Sequence, residues 1–353
     1  MFESNPLYQE DLFRVAELKL PWDKFNNKTI LVSGASGLLG TFLIDVLMLR
    51  NERHGMDIRL IALGRSQKKA QKRFYKYWQS KFFSFIPHDI NNPLQDIGRV
   101  DYIIHAASNT HPVAYATDPI GTITANVIGT QNLLDYAVKH NSLRVMFLST
   151  VEIYGQNRGD TEYFNEKYCG YIDCNTVRAG YPESKRLGES LCNAYISQYG
   201  LDIVIPRLCR IYGPTMQKTD TKALSQFIRN ALQGEDIVLK SEGNQLYSYC
   251  YCADAVAALL TVLLCGKSGE AYNVADKRSD ITLRDLAQTI ASIVGRKVVF
   301  QLPDSVESEG FSRVTKALLD STKLQELGWK AHDNIQTGLE KTIKILKEEW
   351  NQE

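Results

Sequence analysis

The stretch TILVSGASGLLG, residues 29–40, decides the expected fold of the chain. An apolar run leads into three glycines spaced three apart, Gly34, Gly37 and Gly40. A strand, a tight glycine turn and the start of a helix form a dinucleotide site, because glycines admit a pyrophosphate close to the backbone and the helix N-terminus offers free N–H groups. The same glycines could also form only a tight strand-to-helix turn. Because the turn follows the first strand of a βαβ pattern, we predict that it binds a cofactor.

Short apolar runs alternate with helix-like segments through the first part of the chain. The runs cover residues 29–34, 58–63, 101–107, 144–150 and 201–207, and the helix-like segments include 37–51, 122–140 and 183–200. Apolar strands without polar alternation, separated by helices, predict a parallel sheet covered on both faces. The predicted fold class is therefore α/β, with a doubly wound parallel (Rossmann) sheet.

The pattern loosens after Pro206, where helical stretches are mixed with short strand-like runs such as residues 297–303. This mixture predicts a smaller mixed α/β substrate-binding domain. We divide the chain into an N-terminal extension at 1–27, a dinucleotide-binding Rossmann domain at 28–206 plus about 246–265, and a substrate-binding domain at 207–245 plus 266–353.

The composition narrows the class of protein. The chain has 353 residues, 44% of them hydrophobic, and a net charge of +1, which gives no electrostatic argument for nucleic acid or a membrane surface. The first residues carry acidic groups and no long apolar run, and no stretch approaches the ~18 apolar residues of a membrane-spanning helix. We expect a cytoplasmic protein without nucleic-acid or membrane partners.

Seven cysteines, an odd number, agree with that expectation. Cys169 and Cys174 form the only pair in a loop-like region, and no second pair or nearby histidine completes a zinc set. We expect neither a metal site nor a disulfide.

The end of the second apolar run bears on the choice of cofactor. It reads Ala62-Leu63-Gly64-Arg65-Ser66, without the acid that would bind the ribose 2′-hydroxyl of NAD. Arg65 could pair with the 2′-phosphate of NADP, stack on the adenine, or be solvated at a helix start. Asp89, after the next strand-like run, could reach the adenine amino group. The pattern leans slightly to NADP and leaves the choice between NAD and NADP open.

The segment YPESK, residues 181–185, is a candidate for proton transfer. Tyr181 and Lys185 are one helical turn apart and share a face. An enzyme that oxidises an alcohol must remove the hydroxyl proton, and a tyrosine can do so if a nearby ammonium lowers its pKa of ~10. Lys185 would lower that pKa and could hold the nicotinamide ribose, while Thr150 would supply a further hydroxyl. The alternative is two polar residues on an ordinary surface helix.

Five motifs occur in a telling order: GASGLLG at 34–40, HAAS at 105–108, Asn126 in TANVIGT, STVEIYG at 149–155, and YPESK. Over roughly residues 28–330 this order resembles the extended short-chain dehydrogenases/reductases of the NAD-dependent epimerase/dehydratase family. The resemblance implies that Thr150, Tyr181 and Lys185 are the catalytic hydroxyl, the base and its modulator, and that Asn126 braces the active-site helix. The implied cofactor contacts are Gly34, Ser36, Gly37, Leu38, Leu39, Gly40, Arg65, Asp89, Ile90, Ala106, Ala107, Ser108, Tyr181 and Lys185.

Glu152 refines the resemblance. An acid at this position is similar to the UDP-glucuronate decarboxylases and to some 4,6-dehydratases, whereas simple 4-epimerases usually carry a small residue. After oxidation at C4, a carboxylate can manage protons at the neighbouring carbons, so Glu152 is implied to be catalytic. The following loop, FNEKYCGYIDCNTVRAGYPESKR, is similar to the same group and implies that Arg178 faces the substrate. The alternative for Glu152 is a surface carboxylate at a strand end.

Two positions depart from the family pattern. Arg210 stands in RLCRIYGP where family members usually have asparagine, and Tyr247 stands where they usually have an arginine that holds the diphosphate. We hypothesise that Arg210 supplies the missing diphosphate charge from another side of the pocket, and we count both residues as substrate-binding candidates.

The resemblance implies an enzyme that modifies a nucleotide sugar through transient C4 oxidation by bound NAD or NADP. Decarboxylation ranks first, 4,6-dehydration second, and epimerisation or keto-reduction third. The competing class is a dinucleotide-binding sensor without catalysis. The resemblance also implies a homodimer that pairs through the helices at 126–138 and 183–196.

Overall fold

The computed structural model describes residues 2–110, 112–301 and 314–350. Its strands are β1 (Thr29–Ser33), β2 (Arg59–Gly64), β3 (Phe83–Pro87), β4 (Tyr102–His105), β5 (Arg144–Phe147), β6 (Ser149–Thr150), β7 (Ile203–Leu208), β8 (Arg210–Tyr212), β9 (Ile237–Leu239), β10 (Leu246–Tyr247), β11 (Tyr249–Tyr251), β12 (Ala271–Val274), β13 (Ile281–Thr282), β14 (Val298–Phe300) and β15 (Lys316–Ala317). Its α-helices are α1 (Pro6–Ala16), α2 (Leu38–His54), α3 (Gln67–Arg73), α4 (Pro112–Thr117), α5 (Pro119–Lys139), α6 (Gly180–Tyr199), α7 (Ala223–Gln233), α8 (Cys252–Cys265), α9 (Leu283–Val294), α10 (Thr322–Gln325) and α11 (Ile335–Trp350).

The large sheet has the strand order β12-β7-β5-β4-β1-β2-β3, and the short β6 also pairs with β7. Every neighbouring pair in it is parallel. The order reverses between β1 and β4, so the loops after these two strands meet at the switch point where doubly wound sheets bind their ligands. The predicted fold class, a doubly wound parallel sheet, is confirmed.

The two faces of this sheet belong to two different hydrophobic cores, because successive strand residues point to opposite sides. On β1, Ile30 and Val32 are buried in the core that includes residues of α2 and α8. Leu31, between them, is buried in the core that includes Leu133 of α5 and Cys192 of α6. The helices thus cover both faces, as the unbroken apolar strands predict.

The helix α1 packs against α2 and α8. Asn5 begins it, because its side chain accepts hydrogen bonds from two backbone N–H groups of the first turn. Tyr8 and Val15 are fully buried in the first core. Arg14 donates to Asp254 of α8 at 2.8 Å, and Lys341 of α11 donates to Asp11 at 2.8 Å. The segment expected to be an N-terminal extension therefore contributes to the main core.

The elements after Pro206 form three small sheets, β13-β10-β15, β11-β8 and β14-β9. One strand of that part of the chain, β12, instead pairs with β7 in the large sheet. The boundaries between the two expected domains stay a prediction. The run at 297–303 contains β14, and its residues 302–303 lie outside the described part of the chain.

Within the residues that the structure describes, no helix is both long and apolar enough to cross a membrane. All seven cysteines are free thiols. The described residues also contain no group of three or more His, Cys, Asp or Glu side chains arranged to hold a metal ion.

Candidate active site

The glycine loop after β1 can form only because its first and last glycines lack side chains. Gly34 has φ +69°, and a Cβ there would lie 2.7 Å from the carbonyl oxygen of Ala106. A Cβ on Gly40 would lie 2.6 Å from the carbonyl oxygen of Gly34. Gly37 begins α2, and no side chain caps this end of the helix. The first turn of α2, Leu38 to Gly40, therefore presents its backbone N–H groups to an anionic ligand, and these residues fit a dinucleotide pyrophosphate.

A buried histidine fixes the loop that follows β4. The Ser33 hydroxyl lies 2.8 Å from Nδ1 of His105, and the Thr130 hydroxyl lies 3.1 Å from its Nε2. Burial, together with the ammonium of Lys185, lowers the pKa of His105 to about 3, so the imidazole is neutral at physiological pH. The backbone N–H of Ala107 also donates to the Ser33 hydroxyl at 3.2 Å. The segment Ala106–Ser108 is thereby held against the glycine loop.

Asn126 joins that loop to the helix α6. Its Oδ1 accepts from the Ser108 hydroxyl at 2.7 Å, and its Nδ2 donates to the Ser184 hydroxyl at 2.9 Å. The Ser184 hydroxyl in turn donates to the carbonyl of Tyr181 at 2.9 Å. Asn126 is fully buried, so these two bonds satisfy a polar side chain that would otherwise destabilise the core. These two hydrogen bonds are consistent with the expectation that Asn126 braces the active-site helix.

Tyr181 and Lys185 lie on one buried face of α6, with 7% and 3% of their surfaces exposed. The Lys185 ammonium donates to the carbonyl of Leu148 at 2.8 Å, and burial lowers its pKa to about 8. Burial and the negative charge of Glu152 raise the pKa of Tyr181, while a hydrogen bond with Thr150 acts in the opposite direction. The expectation that the pKa of Tyr181 is lowered is wrong for this conformation, because the two raising effects prevail and Lys185 bonds to a backbone carbonyl instead.

Glu152 lies in a single 3₁₀ turn after β6, where its backbone N–H donates to the Thr150 side chain at 3.3 Å. The Nη2 atom of Arg178 donates to both carboxylate oxygens of Glu152, at 2.8 and 2.6 Å. About a fifth of each side chain is exposed, 22% for Glu152 and 21% for Arg178. The acid is therefore held by an arginine beside the Thr150–Tyr181 pair and is not a solvated surface group.

Tyr115, on the short helix α4, is a site residue that the sequence analysis missed. Its ring stacks on that of Tyr181 with centroids 4.8 Å apart and an interplanar angle of 27°. The guanidinium of Arg178 lies 4.6 Å from the centroid of the Tyr115 ring. None of the five motifs includes Tyr115. The one sequence signal for its contact with Tyr181 is its position between HAAS and Asn126.

Arg210 and Tyr247, the two departures from the family pattern, contact each other. The guanidinium carbon of Arg210 lies 3.3 Å from the centroid of the Tyr247 ring. Its Nη1 atom is buried, with no hydrogen-bond partner in the described part of the protein. Arg210 lines a narrow cavity with Val151, Glu152 and Gly155. Its charge is thus placed beside the catalytic candidates.

The remaining cofactor candidates follow the strands β1, β2 and β3 in the sequence. Arg65 and Asp89 are exposed, and Asp89 accepts from the backbone N–H of Asn91 at 3.0 Å. The carbonyl of Ile90 accepts from Asn132 of α5 at 2.8 Å. Ser36 accepts at its backbone carbonyl from the Gln217 side chain at 3.3 Å.

A second buried group, also missed from sequence, supports the strand end that carries Thr150. The Ser149 hydroxyl lies 2.5 Å from Oε1 of Glu189, whose carboxylate accepts from Arg207 at 3.0 and 2.6 Å. Arg207 also donates to the hydroxyl of Tyr154 at 2.9 Å. These contacts connect β6, β7 and α6. They hold the strand end that carries Thr150 against the helix that carries Tyr181.

A doubly wound sheet, an uncapped helix behind a glycine loop and a buried tyrosine–lysine pair define a short-chain dehydrogenase/reductase of the extended type. The chain belongs to the NAD dependent epimerase/dehydratase family, whose sequence profile matches residues 30–275.

Curated relatives agree with that assignment, and a solved structure agrees with the fold. UDP-glucuronic acid decarboxylase 5 of Arabidopsis thaliana is 32% identical over 315 residues, covering 89% of this chain and 88% of that protein. UDP-glucuronic acid decarboxylase 1 of Danio rerio is 32% identical over 328 residues, covering 92% of this chain and 74% of that protein. The fold is similar to that of the dTDP-glucose 4,6-dehydratase DesIV of Streptomyces venezuelae, solved with NAD and TYD bound, with a TM-score of 0.79, 24% identity and coverage of 92% and 98% of the two chains.

Proposed function

We propose that this protein is an NAD(P)-dependent nucleotide-sugar enzyme that acts by transient oxidation at C4, and that its reaction is decarboxylation of a UDP-glucuronate-type substrate. The observation that carries the proposal is the carboxylate of Glu152, held by Arg178 beside the hydroxyls of Thr150 and Tyr181. The names of the relatives at about a third identity support the same reaction.

The cofactor would be held by the glycine loop, by the segment Ala106–Ser108 and by Lys185. When bound, the nicotinamide would supply a hydride acceptor for C4 of the sugar. Ser36, Arg65, Asp89 and Ile90 would contact the adenosine half. We propose that Arg65, which follows β2 in place of an acid, permits binding of NADP as well as NAD. Calorimetric titration with both dinucleotides tests this, because Arg65→Ala should weaken binding of NADP more than that of NAD.

The chain supplies the acid–base groups for the reaction. Tyr181 accepts the proton of the C4 hydroxyl, and Thr150 holds both oxygens in line by hydrogen bonding. In the resulting 4-keto sugar the bond between C5 and the carboxylate breaks, CO2 leaves, and the electron pair is delocalised onto the C4 oxygen. Glu152 would then deliver a proton to C5, and Tyr181 would return its proton to the C4 oxygen when C4 regains its hydride. Arg178 keeps Glu152 in place and faces the same sugar carbons.

Arg210 and Tyr247 are proposed to bind the substrate together. The stacked pair fixes the guanidinium in the cavity beside Glu152, and its buried Nη1 has a hydrogen bond to offer to a phosphate or carboxylate oxygen. Arg210→Ala should weaken nucleotide-sugar binding strongly and leave dinucleotide binding unchanged. Arg158→Ala is the control, because Arg158 is an exposed arginine that lies 4.9 Å from the centroid of the Tyr171 ring and is not among the proposed site residues. Equal nucleotide-sugar binding by the Arg210→Ala variant would contradict the assignment.

A turnover panel tests the proposed reaction. The wild type and Tyr181→Phe are incubated with UDP-glucuronate, dTDP-glucose, UDP-glucose and GDP-mannose, and the products are weighed by mass spectrometry. Loss of CO2 from UDP-glucuronate in the wild type alone is the expected result. Loss of water would indicate a 4,6-dehydratase, and an isomer of equal mass an epimerase. Dinucleotide binding without any turnover would contradict an enzymatic role and favour a sensor.

We further propose that two copies pair through α5 and α6. Ile120, Ile123 and Ile128 of α5 and Leu187 of α6 are large apolar residues with at least 40% of their surface exposed. Light scattering of the wild type and of an Ile128→Glu, Leu187→Glu variant tests this, and a monomeric wild type would contradict it. The cytoplasm is proposed as the location, since seven free thiols suit a reducing compartment.

A further inference from the structure

The ring of Tyr115 stacks directly on that of the residue proposed to act as the base. The two ring centroids are 4.8 Å apart, and a side-chain hydrogen bond between the two phenols is among the influences on the pKa of both. Tyr115 has 7% of its surface exposed, so its hydroxyl has little access to water. A buried tyrosine hydroxyl normally has a specific partner, and here that partner is the atom proposed to accept the substrate proton.

We propose that Tyr115 is a further catalytic residue, whose hydroxyl donates a hydrogen bond to the oxygen of Tyr181 that takes the proton from the sugar. The inference rests on the proposed function, because it adds to the role of Tyr181 as the base. It assigns Tyr115 a task that no motif in the sequence suggests.

A hydrogen-bond donor to Tyr181 is needed because the nearby ammonium of Lys185 bonds to another group. The Lys185 ammonium donates to the carbonyl of Leu148 at 2.8 Å, and within the described residues it makes no hydrogen bond to the Tyr181 hydroxyl. Burial and Glu152 raise the pKa of Tyr181, and hydrogen bonding with Thr150 and with Tyr115 acts in the opposite direction. A hydrogen bond to an ionised oxygen is about twice as strong as one to a neutral oxygen. Tyr115 therefore stabilises the basic form of Tyr181 more than its protonated form.

Tyr115 can keep its own proton while Tyr181 loses one. Burial, the neighbouring Tyr181 and Glu152 together raise the pKa of Tyr115 well above its ordinary value. The titratable and charged groups that face Tyr181 are Tyr115 from α4, Glu152 after β6 and Arg178 before α6, with Lys185 on its own helix. Since Arg178 pairs with Glu152 and also lies over the Tyr115 ring, it holds the donor against the base.

A direct test measures the ionisation of Tyr181 without any substrate. Trifluorotyrosine is placed at position 181, since its phenol ionises several pH units lower than that of tyrosine and its fluorine NMR shift reports the phenolate. The titration is repeated in proteins that also carry Tyr115→Phe or Tyr136→Phe. Tyr136 is the matched control, because it is a buried tyrosine of α5 whose hydroxyl donates to the carbonyl of Gly98, away from the site.

The expected result is a midpoint higher by about one pH unit or more with Tyr115→Phe, because a hydrogen bond to a charged group is lost, and no shift with Tyr136→Phe. In turnover assays Tyr115→Phe should lower kcat with little change in KM and move the acid limb of the pH profile upward. An unchanged fluorine midpoint overturns the role of Tyr115. A wild type that turns over no nucleotide sugar contradicts the proposed function, while the fluorine titration still decides the role of Tyr115.

Discussion

One nitrogen of Arg178, Nη2, lies within hydrogen-bonding distance of both oxygens of Glu152, at 2.8 and 2.6 Å. The pair joins a turn after β6 to the segment that enters α6, two parts of the chain separated by 26 residues. It therefore sets the orientation of the one carboxylate proposed to act after the sugar is oxidised.

Glu152→Gln should separate the two halves of the reaction. The amide keeps the shape of the side chain but cannot deliver a proton to C5, so we expect formation of the decarboxylated sugar to fall by about 10²-fold or more while cofactor reduction persists. Stopped-flow absorbance of the reduced nicotinamide and mass spectrometry of the decarboxylated sugar measure the two steps. Glu183→Gln is the control, because Glu183 is a half-buried acid of α6 that pairs with Arg186 at 3.6 Å. Equal loss of both steps would contradict a role for Glu152 after oxidation.

Lys185 should make stability rise with pH in the alkaline range. Burial lowers its pKa from 10.5 to about 8, so between these values the unfolded chain binds a proton that the folded protein does not. The free energy of unfolding should therefore increase by up to about 3 kcal/mol across this window. The free energy of unfolding in urea is measured for the wild type and for Lys185→Met. The difference between them separates the contribution of Lys185 from those of the other titrating groups. If the difference in unfolding free energy between the two proteins did not change with pH, the lowered pKa of Lys185 would be contradicted.

Gly34→Ala should abolish dinucleotide binding, whereas Gly55→Ala should not. Both glycines have positive φ, +69° and +59°, so alanine costs each about 1 kcal/mol of backbone strain. A Cβ at Gly34 also meets the backbone of Ala106 at 2.7 Å, whereas a Cβ at Gly55 meets nothing within 4 Å. Calorimetry and thermal unfolding measure the two effects. Comparable losses of binding would show that strain, not close approach of the loops, matters at Gly34.

Asn126→Ala should destabilise the protein by about 1–3 kcal/mol, because the part-buried hydroxyl of Ser108 loses its closest acceptor and the buried hydroxyl of Ser184 loses its donor. Dinucleotide affinity should fall as well, since Ser108 belongs to the proposed cofactor site. The control is Asn230→Ala, because within the described residues this side chain donates to Glu235 at 2.8 Å and its Oδ1 has no hydrogen bond to lose. Chemical denaturation and a dinucleotide titration report both quantities, and a stability equal to that of the control would contradict the bracing role.

Arg14→Ala should cost about 3 kcal/mol or more, because it leaves the fully buried Asp254 without its closest cation. Arg53→Ala removes an exposed arginine that pairs with Glu17 at 3.1 Å, so its cost should stay below about 1 kcal/mol. Urea denaturation of both variants measures the contrast. If both variants lost less than about 1 kcal/mol of unfolding free energy, the ion pair between α1 and α8 would contribute little to stability.

The architecture could be predicted from sequence because its signals are local. The run 29–40 contains a strand, a turn and a helix start in sequence, and the same alternation recurs along the chain. The helical spacing of Tyr181 and Lys185 likewise placed both on one face of α6. These inferences needed only neighbours in sequence.

What sequence could not reveal depends on contacts between distant segments. Tyr115 meets Tyr181, and Arg210 meets Tyr247, through the arrangement of separate elements. The hydrogen-bond partner of the Lys185 ammonium could not be predicted either, because it is the backbone carbonyl of Leu148, which packing brings beside α6. Each of these features is set by tertiary packing, for which a single sequence carries no periodic signal.

The helix α1 also bears on the order in which the protein can be completed during synthesis. Asp11 receives a hydrogen bond from Lys341, 330 residues later, and Arg14 bonds to Asp254, 240 residues later. Apart from the local pair of Arg14 with Asp11 at 3.5 Å, these charges meet their partners only after a further 240 residues or more have been synthesised. Because contacts of such long sequence separation form late, this corner of the main core closes only after α8 and α11 have been synthesised.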